Sequence, residues 1–470
     1  MADKKNILSK IPSVDDLIKN EEIVRLIDLC PRPVLVQIIR DYLDEYRKEL
    51  LSQVAEGRDE TINFKGILDG IQYKVYNKIA YSLKHVVNAT GIVIHTNLGR
   101  APLCKEALDL LIKTSSSYSN LEMDIEKGIR GSRHDLVEDI LTELTKAEAA
   151  AVVNNNAAAV MLVLSTMAKD KEVVVSRGQL IEIGGSFRIP DVMRQSGAKL
   201  VEVGTTNKTH IEDYENAVNE ETALLMKVHT SNYKIMGFTK EVCSKELVSL
   251  GQKRGIPVIE DIGSGVFIDL SKYGLPYEPT VQNSVAYGMD IVTFSGDKML
   301  GGSQAGIIVG NKKYIKSIKR NPLARALRVD KMTLAALEAT LKLYLDEKKA
   351  IKNIPVLNML TTNIEEITKK AEDFYKKIPE SLKQLHIIAI EDEFSEVGGG
   401  AMPLHKLPTK VITIKSTDRS SNAIEEALRN YETPIVTRIS KDKVLIDIRT
   451  VMEAEYDIII NALGTIDERS

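Results

Sequence analysis

Apolar residues recur at helical spacing near the N-terminus. Behind Pro31 and Pro33, Val34, Leu35, Ile38, Ile39, Tyr42, Leu43 and Tyr46 lie three and four apart, which predicts an amphipathic helix. Arg40, Arg47 and Lys48 fall on its polar side. Upstream, Ser13 with Asp16 three residues on reads as a helix N-cap. From about residue 85 the period changes. Short aliphatic and β-branched runs at 149–153, 172–176, 199–203, 222–229, 257–261 and 291–294 alternate with helical stretches, the pattern of a mainly parallel sheet covered by helices. Leu334, Leu337, Leu341 and Leu345 form one stripe of a long helix, and 411–414 and 443–448 read as strands beyond it. Three domains are therefore expected: a helical unit at 1–80, a large α/β domain at 81–335 and an α+β domain at 336–470.

The length of 470 residues suits two or three domains. A net charge of −3 gives no global basic field of the kind that advertises nucleic acid, though a local patch is compatible with an RNA partner. Cys30, Cys104 and Cys243 are too widely spaced for a disulfide framework or a metal site. With no His-Glu-x-x-His and no Cys-x-x-Cys, no metal is expected. Residues 1–6 lack the apolar run of a secretory signal, and no apolar stretch reaches the roughly 18 residues of a membrane span. A reducing cytoplasm is the expected location.

The most informative chemistry lies at two strand ends. The run 291–294 leads straight into Ser295-Gly296-Asp297-Lys298 and then the paired glycines Gly301 and Gly302. A lysine held at a strand mouth among small residues suits a Schiff base to pyridoxal phosphate. The run 257–261 ends in Asp261 and a glycine-rich turn, 37 residues before Lys298, enough for one crossover between neighbouring parallel strands. A carboxylate there would keep a pyridine nitrogen protonated. As residues alone, Asp261 is also compatible with a helix N-cap or loop acid, and Asp297 with a turn former.

Other candidates follow strands as well. Asn154, Asn155 and Asn156 stand between an apolar run and an alanine-rich helix, where free amides form a phosphate-sized cup. Gln179, Ser231, Asn232 and Ser295 also fall at strand ends, where open α/β sheets bind ligands. His229 is either a ring contact or a satisfied buried histidine. Gly99 permits a turn that presents Arg100, which is an anion contact or an ordinary turn arginine. Arg325 and Arg328 would share one face if helical, adequate for a doubly charged anion.

These stretches carry a resemblance. Asn88-Ala89-Thr90-Gly91, Thr96 through Arg100, Gly128 through Arg133, Val153 through Asn156, the run 182–190, Ser295 through Lys298, Arg325 through Arg328 and Gly398 through Pro403 are similar to motifs of the bacterial selenocysteine synthases, the L-seryl-tRNA(Sec) selenium transferases. The match runs over nearly the whole chain, including the helical N-terminal unit. One departure is Ser303, where that family usually carries proline.

The resemblance implies a fold-type-I pyridoxal-phosphate enzyme that converts L-seryl-tRNA(Sec) to L-selenocysteinyl-tRNA(Sec) through a dehydroalanyl intermediate. Lys298 would carry the cofactor and take the α-proton, and Asp297 would assist departure of the serine hydroxyl. Asp261, Asn154, Asn155, Asn156, Ser231, Asn232 and Ser295 would hold the cofactor, and Arg100, Arg325 and Arg328 the selenophosphate. Transfer RNA would bind partly on the N-terminal unit. A large homo-oligomer built from dimers is implied, with a decamer as the candidate size. The rival enzyme is a pyridoxal-phosphate lyase or ammonia lyase acting on a free amino acid or amino sugar acid. It needs a cation for the free carboxylate or phosphate, for which Arg438 and Arg449 are candidates. A non-catalytic tRNA-binding scaffold is a third reading, opposed by the intact Asp261 and Lys298 pair.

Overall fold

A computed structural model describes residues 8, 10–55, 62–183 and 187–466; Gly184, Gly185 and Ser186 of the 182–190 motif lie outside them. The chain divides into two compact units, Met1–His85 and Val86–Ser470.

In the first unit the expected helix spans Arg32–Ala55 and lies against Phe64–Ile79. Leu35, Ile39 and Leu43 from the first and Ile67, Ile71 and Val75 from the second are fully buried, which is what a stripe at three and four spacing dictates. A Cβ at Gly70 would stand 2.2 Å from the Tyr42 hydroxyl, so the close approach of the two helices requires glycine there. Ser13 and Asp16 form a reciprocal capping box at the start of Val14–Lys19.

The second unit is built on a seven-stranded sheet: β1 (Ala149–Val153), β2 (Glu172–Ser176), β3 (Lys199–Val203), β4 (Thr222–Val228), β5 (Val258–Gly263), β6 (Ile291–Ser295) and β7 (Gly306–Gly310). Their spatial order is β1-β7-β6-β5-β4-β2-β3. The pairs among β3, β2, β4, β5 and β6 are parallel, and β7 runs antiparallel to both its neighbours. Strands β1, β6 and β7 are buried along their whole length, between two apolar clusters on opposite faces. This is the fold-type-I arrangement expected. Strand β7 was not expected, because its glycine-bounded Ile307-Ile308-Val309 is short and follows a glycine-rich turn.

The expected boundary at 335/336 falls inside a helix. Lys331–Leu343 runs through it with Leu334, Leu337 and Leu341 buried, and stops before Leu345, which is exposed. The smaller sheet is formed mainly by the hairpin of His386–Gly398 and Lys406–Ser416 with Lys443–Asp447. It also takes in Ile92–Ile94, while Val87–Asn88 pairs with Ile435–Val436. Residues 87–94 thus belong with the C-terminal lobe, a long-range pairing that local periodicity does not encode.

Arg438 and Arg449 are engaged inside this lobe, which corrects their candidacy as a carboxylate clamp. Arg449 is 4% exposed, and its guanidinium donates to the carbonyls of Met359, Thr362 and Pro408. Arg438 donates to the Phe394 carbonyl and to Asp447, which also accepts from Ser395 and Thr409. Arg449→Met is expected to cost about 3 kcal/mol, because the carbonyls of Met359, Thr362 and Pro408 lose a charged donor. Urea denaturation checks this, and a loss below about 0.5 kcal/mol, the size of an ordinary surface change, would contradict it.

Candidate active site

The C-terminal ends of β4, β5 and β6 converge on Asp261. Register places Val228 beside Asp261 and Asp261 beside Thr293. The Thr293 hydroxyl can therefore donate to Asp261 Oδ1, at 3.1 Å. Asn156 Nδ2 donates to the same oxygen at 2.7 Å, from the first turn of the helix Asn156–Met167. No side chain donates to Oδ2 among the described residues. Asp261 is 7% exposed. Burial pushes its carboxyl above the usual range, against the two hydrogen bonds and the charge of Lys298.

Lys298 sits in the turn after β6. The Gly302 amide donates to the Gly296 carbonyl at 2.8 Å, and the Gly301 amide to the Lys298 carbonyl at 2.9 Å, so the loop closes on itself. Its amine has no hydrogen bond or ion pair among the described residues. Burial lowers the amine's pKa; the Asp261 charge opposes that shift, and Arg100 adds to it. Acid and amine are both pushed toward their neutral forms, the signature of buried groups short of a partner. Ser303 keeps the turn, donating from its hydroxyl to the Thr333 carbonyl at 2.9 Å.

The three asparagines have three separate tasks. Asn154, with its amide oriented to satisfy its neighbours, donates to the carbonyls of Leu327 and Arg328. Asn155 caps the helix by accepting from the Ala158 amide at 2.9 Å. Asn156 holds Asp261, while its own Oδ1 is buried without a partner. The backbone amides of Asn156 and Ala157 make no hydrogen bond among the described residues, as expected of a helix N-terminus. Gly306 follows from this packing: a Cβ there would lie 2.0 Å from the Asn155 carbonyl oxygen. Register aligns Ser295, Gly306 and Val153 in one row across β6, β7 and β1, which brings the asparagine turn to the sheet edge that carries Lys298.

Ser231 is buried, and Asn232 Oδ1 is buried without a partner. Gly400 packs against Asn232, and Gly398, Gly399 and Gly400 all have φ between 61° and 76°. Gln179 accepts from the Val228 amide, tying the end of β2 to β4. His229 is bonded through Nε2 to Glu278 at 2.6 Å.

The anion candidates divide into two places. Arg100, in the left-handed region at φ 63° after Gly99, donates to Asp297 Oδ2 at 2.8 Å. The Ala101 amide donates to the Asp297 carbonyl, which ties that turn to the lysine loop. Asp297 is 6% exposed, whereas the Arg100 side chain is half-buried. Arg325 lies in the last turn of the helix Pro322–Ala326, whereas Arg328 lies beyond it and bridges Val153. No common helical face holds them, yet both line one cavity of about 240 Å³ with Arg130, Arg133, Lys319 and Glu122. Glu122 accepts from Arg130 and Arg133 and stands 3.6 Å from Arg328. Arg325 has no ion-pair partner among the described residues. Glu122 and Thr293 were not singled out from sequence; only their three-dimensional neighbours give them a role.

The residues fit a flat cationic heterocycle bearing a phosphate. Asp261 Oδ2 lacks a side-chain donor that a ring N–H could supply, and the free amides at Asn156 and Ala157 can receive phosphate oxygens. Lys298 offers a half-buried amine for the covalent link.

The chain matches the family described as L-seryl-tRNA selenium transferase over residues 86–452, and the selenocysteine synthase N-terminal family over 8–47. It is 56% identical to L-seryl-tRNA(Sec) selenium transferase of Alkaliphilus metalliredigens (strain QYMF), covering 98% of this chain and 99% of that protein. The corresponding protein of Clostridium botulinum (strain 657 / Type Ba4) is 53% identical, covering 97% and 98%. Among solved structures, D-glucosaminate-6-phosphate ammonia-lyase shares the fold with a TM-score of 0.55 at 21% identity, covering 84% of this chain and 98% of that one. Coverage and identity of this order make the chain a member of the L-seryl-tRNA selenium transferase family.

Proposed function

We propose that this protein converts L-seryl-tRNA(Sec) to L-selenocysteinyl-tRNA(Sec), with pyridoxal phosphate as cofactor and selenophosphate as donor. The observation that carries the reading is the buried Asp261 and the half-buried Lys298 at adjoining strand ends, in a chain over half identical to transferases of that name. When bound, pyridoxal phosphate supplies an electron sink for the α-carbanion of the seryl group. Asp261 would hold the proton on the ring nitrogen. Lys298, whose burial favours the neutral amine, takes the α-proton. Asp297 handles the proton that leaves with the β-hydroxyl as water. Selenium then bonds to the β-carbon as Lys298 returns the proton to the α-carbon, and cleavage of the selenium–phosphorus bond by water releases phosphate.

Arg100, Arg325 and Arg328 receive the selenophosphate in this reading. An oxyanion arriving at Arg100 competes with Asp297 for the same guanidinium. Arg325→Ala is expected to raise KM for selenophosphate about tenfold with a smaller change in kcat, as for loss of one charge-assisted contact. Steady-state kinetics in the donor checks this, and an unaltered KM would contradict it.

The N-terminal unit is the candidate tRNA-binding element, and a dimer-based homo-oligomer in a reducing cytoplasm completes the proposal. A lyase acting on a free amino acid has less support, since Arg438 and Arg449 are held by the C-terminal lobe. Radiolabelled seryl-tRNA treated with enzyme and selenophosphate should yield labelled selenocysteine on deacylation. Recovery of labelled serine alone would overturn the proposal.

A further inference from the structure

The two substrates of this reaction differ in chemistry, and so do two recesses around the strand ends. The cavity at Arg325 and Arg328 is small and strongly cationic. A second cavity, of about 500 Å³, begins at His229 and Thr230, the residues that directly follow β4. Ser231 and Asn232 lie in sequence between its lining residues Thr230 and Tyr233, and the His229 amide donates to the Asp261 carbonyl at 2.8 Å. Its walls are of mixed character: Lys234 and Lys240, Glu241 and Glu278, and the rings of Tyr277 and His405.

Two lysines against two carboxylates leave little net charge, which disfavours a small dianion and favours a nucleoside with one phosphate at its edge. The volume falls in the roughly 300–1,000 Å³ range of small-molecule sites. Tyr277 is 55% exposed, and its hydroxyl is steadied by Asn283 Nδ2 at 2.8 Å, so its ring is presented rather than buried. The Tyr233 hydroxyl, by contrast, is engaged by the Gly178 carbonyl, which anchors the wall of the cavity.

A seryl group that reaches Lys298 is attached by one ester bond to a terminal ribose, so the terminal nucleoside must lie against a wall next to the lysine. We propose that the cavity between the residues after β4 and the 402–405 turn receives the 3′-terminal adenosine of the seryl-tRNA. The base stacks on Tyr277, its exocyclic amine donates to Glu241 or Glu278, and Lys234 and Lys240 take the adjoining phosphate. This inference rests on the proposed function.

The test uses the full-length, cofactor-loaded enzyme. Tyr277→Ala is expected to raise KM for seryl-tRNA about tenfold, the loss of one base-aromatic stack, with the effect on KM rather than kcat. Tyr277→Phe, which keeps the ring, should restore a KM near that of wild type. Adenosine 5′-monophosphate should compete with seryl-tRNA in wild type and lose that competition in Lys234→Ala/Lys240→Ala, a second variant independent of the tyrosine. An active wild type whose KM is unmoved by Tyr277→Ala, and whose competition by the nucleotide is unmoved by Lys234→Ala/Lys240→Ala, would overturn this inference alone. A wild type that does not act on seryl-tRNA at all would overturn the proposed function, and this inference with it.

Discussion

Lys298→Ala is expected to lower turnover by at least about a thousandfold, because one amine both links the cofactor and moves the α-proton. The loss should come without unfolding. The loop around Lys298 is held by backbone bonds among Gly296, Lys298, Gly301, Gly302 and Ala305, none of which involves the lysine side chain. Removal of a half-buried amine that is driven toward neutrality should leave the melting temperature near that of wild type or raise it. Borohydride reduction of the wild type should fix the cofactor's mass on the peptide carrying Lys298, and alanine at that position should abolish the adduct. Retention of full turnover by Lys298→Ala would remove the basis for the assignment.

Asp261→Asn should separate activity from stability. Asparagine keeps the volume and one carbonyl oxygen to accept from Asn156 and Thr293, but it cannot hold a proton on a ring nitrogen by charge. We expect turnover to fall about 10²- to 10⁴-fold, the usual range for a misplaced catalytic proton. Stability should move the other way. Burial raises the Asp261 carboxyl in the cofactor-free chain above its unfolded value. Such a group contributes stability below the unfolded pKa and loses it as pH rises through the folded pKa. At neutral pH the carboxylate therefore works against folding, and asparagine removes that burden. Cofactor-free Asp261→Asn should melt higher than cofactor-free wild type at pH 7 and show a smaller gain on acidification. A lower melting temperature at pH 7 would contradict this account of the acid.

The parts of the site that were legible in the sequence are those set by one strand and the turn after it. Strands β1, β2, β3, β4, β5 and β6, and the Lys298 turn, are local patterns, and the pairing of Asp261 with Lys298 needed only adjacent strands. Partners from distant segments were not legible. Thr293 reaches Asp261 only because β5 and β6 pair in that register, and Asn156 joins them from a helix 105 residues upstream. Arg100 and Asp297, two candidates for separate tasks, form one ion pair across 197 residues. Arg325 and Arg328 share a cavity, but not through helical spacing, since the helix ends at Ala326. Ile92–Ile94 joins the C-terminal sheet through a parallel pairing with the strand His386–Gly398, which no local pattern announces.

The measurement that bears most directly on the central claim is turnover of the wild-type, cofactor-loaded protein with seryl-tRNA(Sec) and selenophosphate, run beside free serine. Selenocysteinyl-tRNA formed from the charged tRNA, with free serine inert, is the predicted result. Pyruvate and ammonia from free serine, with no selenium on the tRNA, would contradict it.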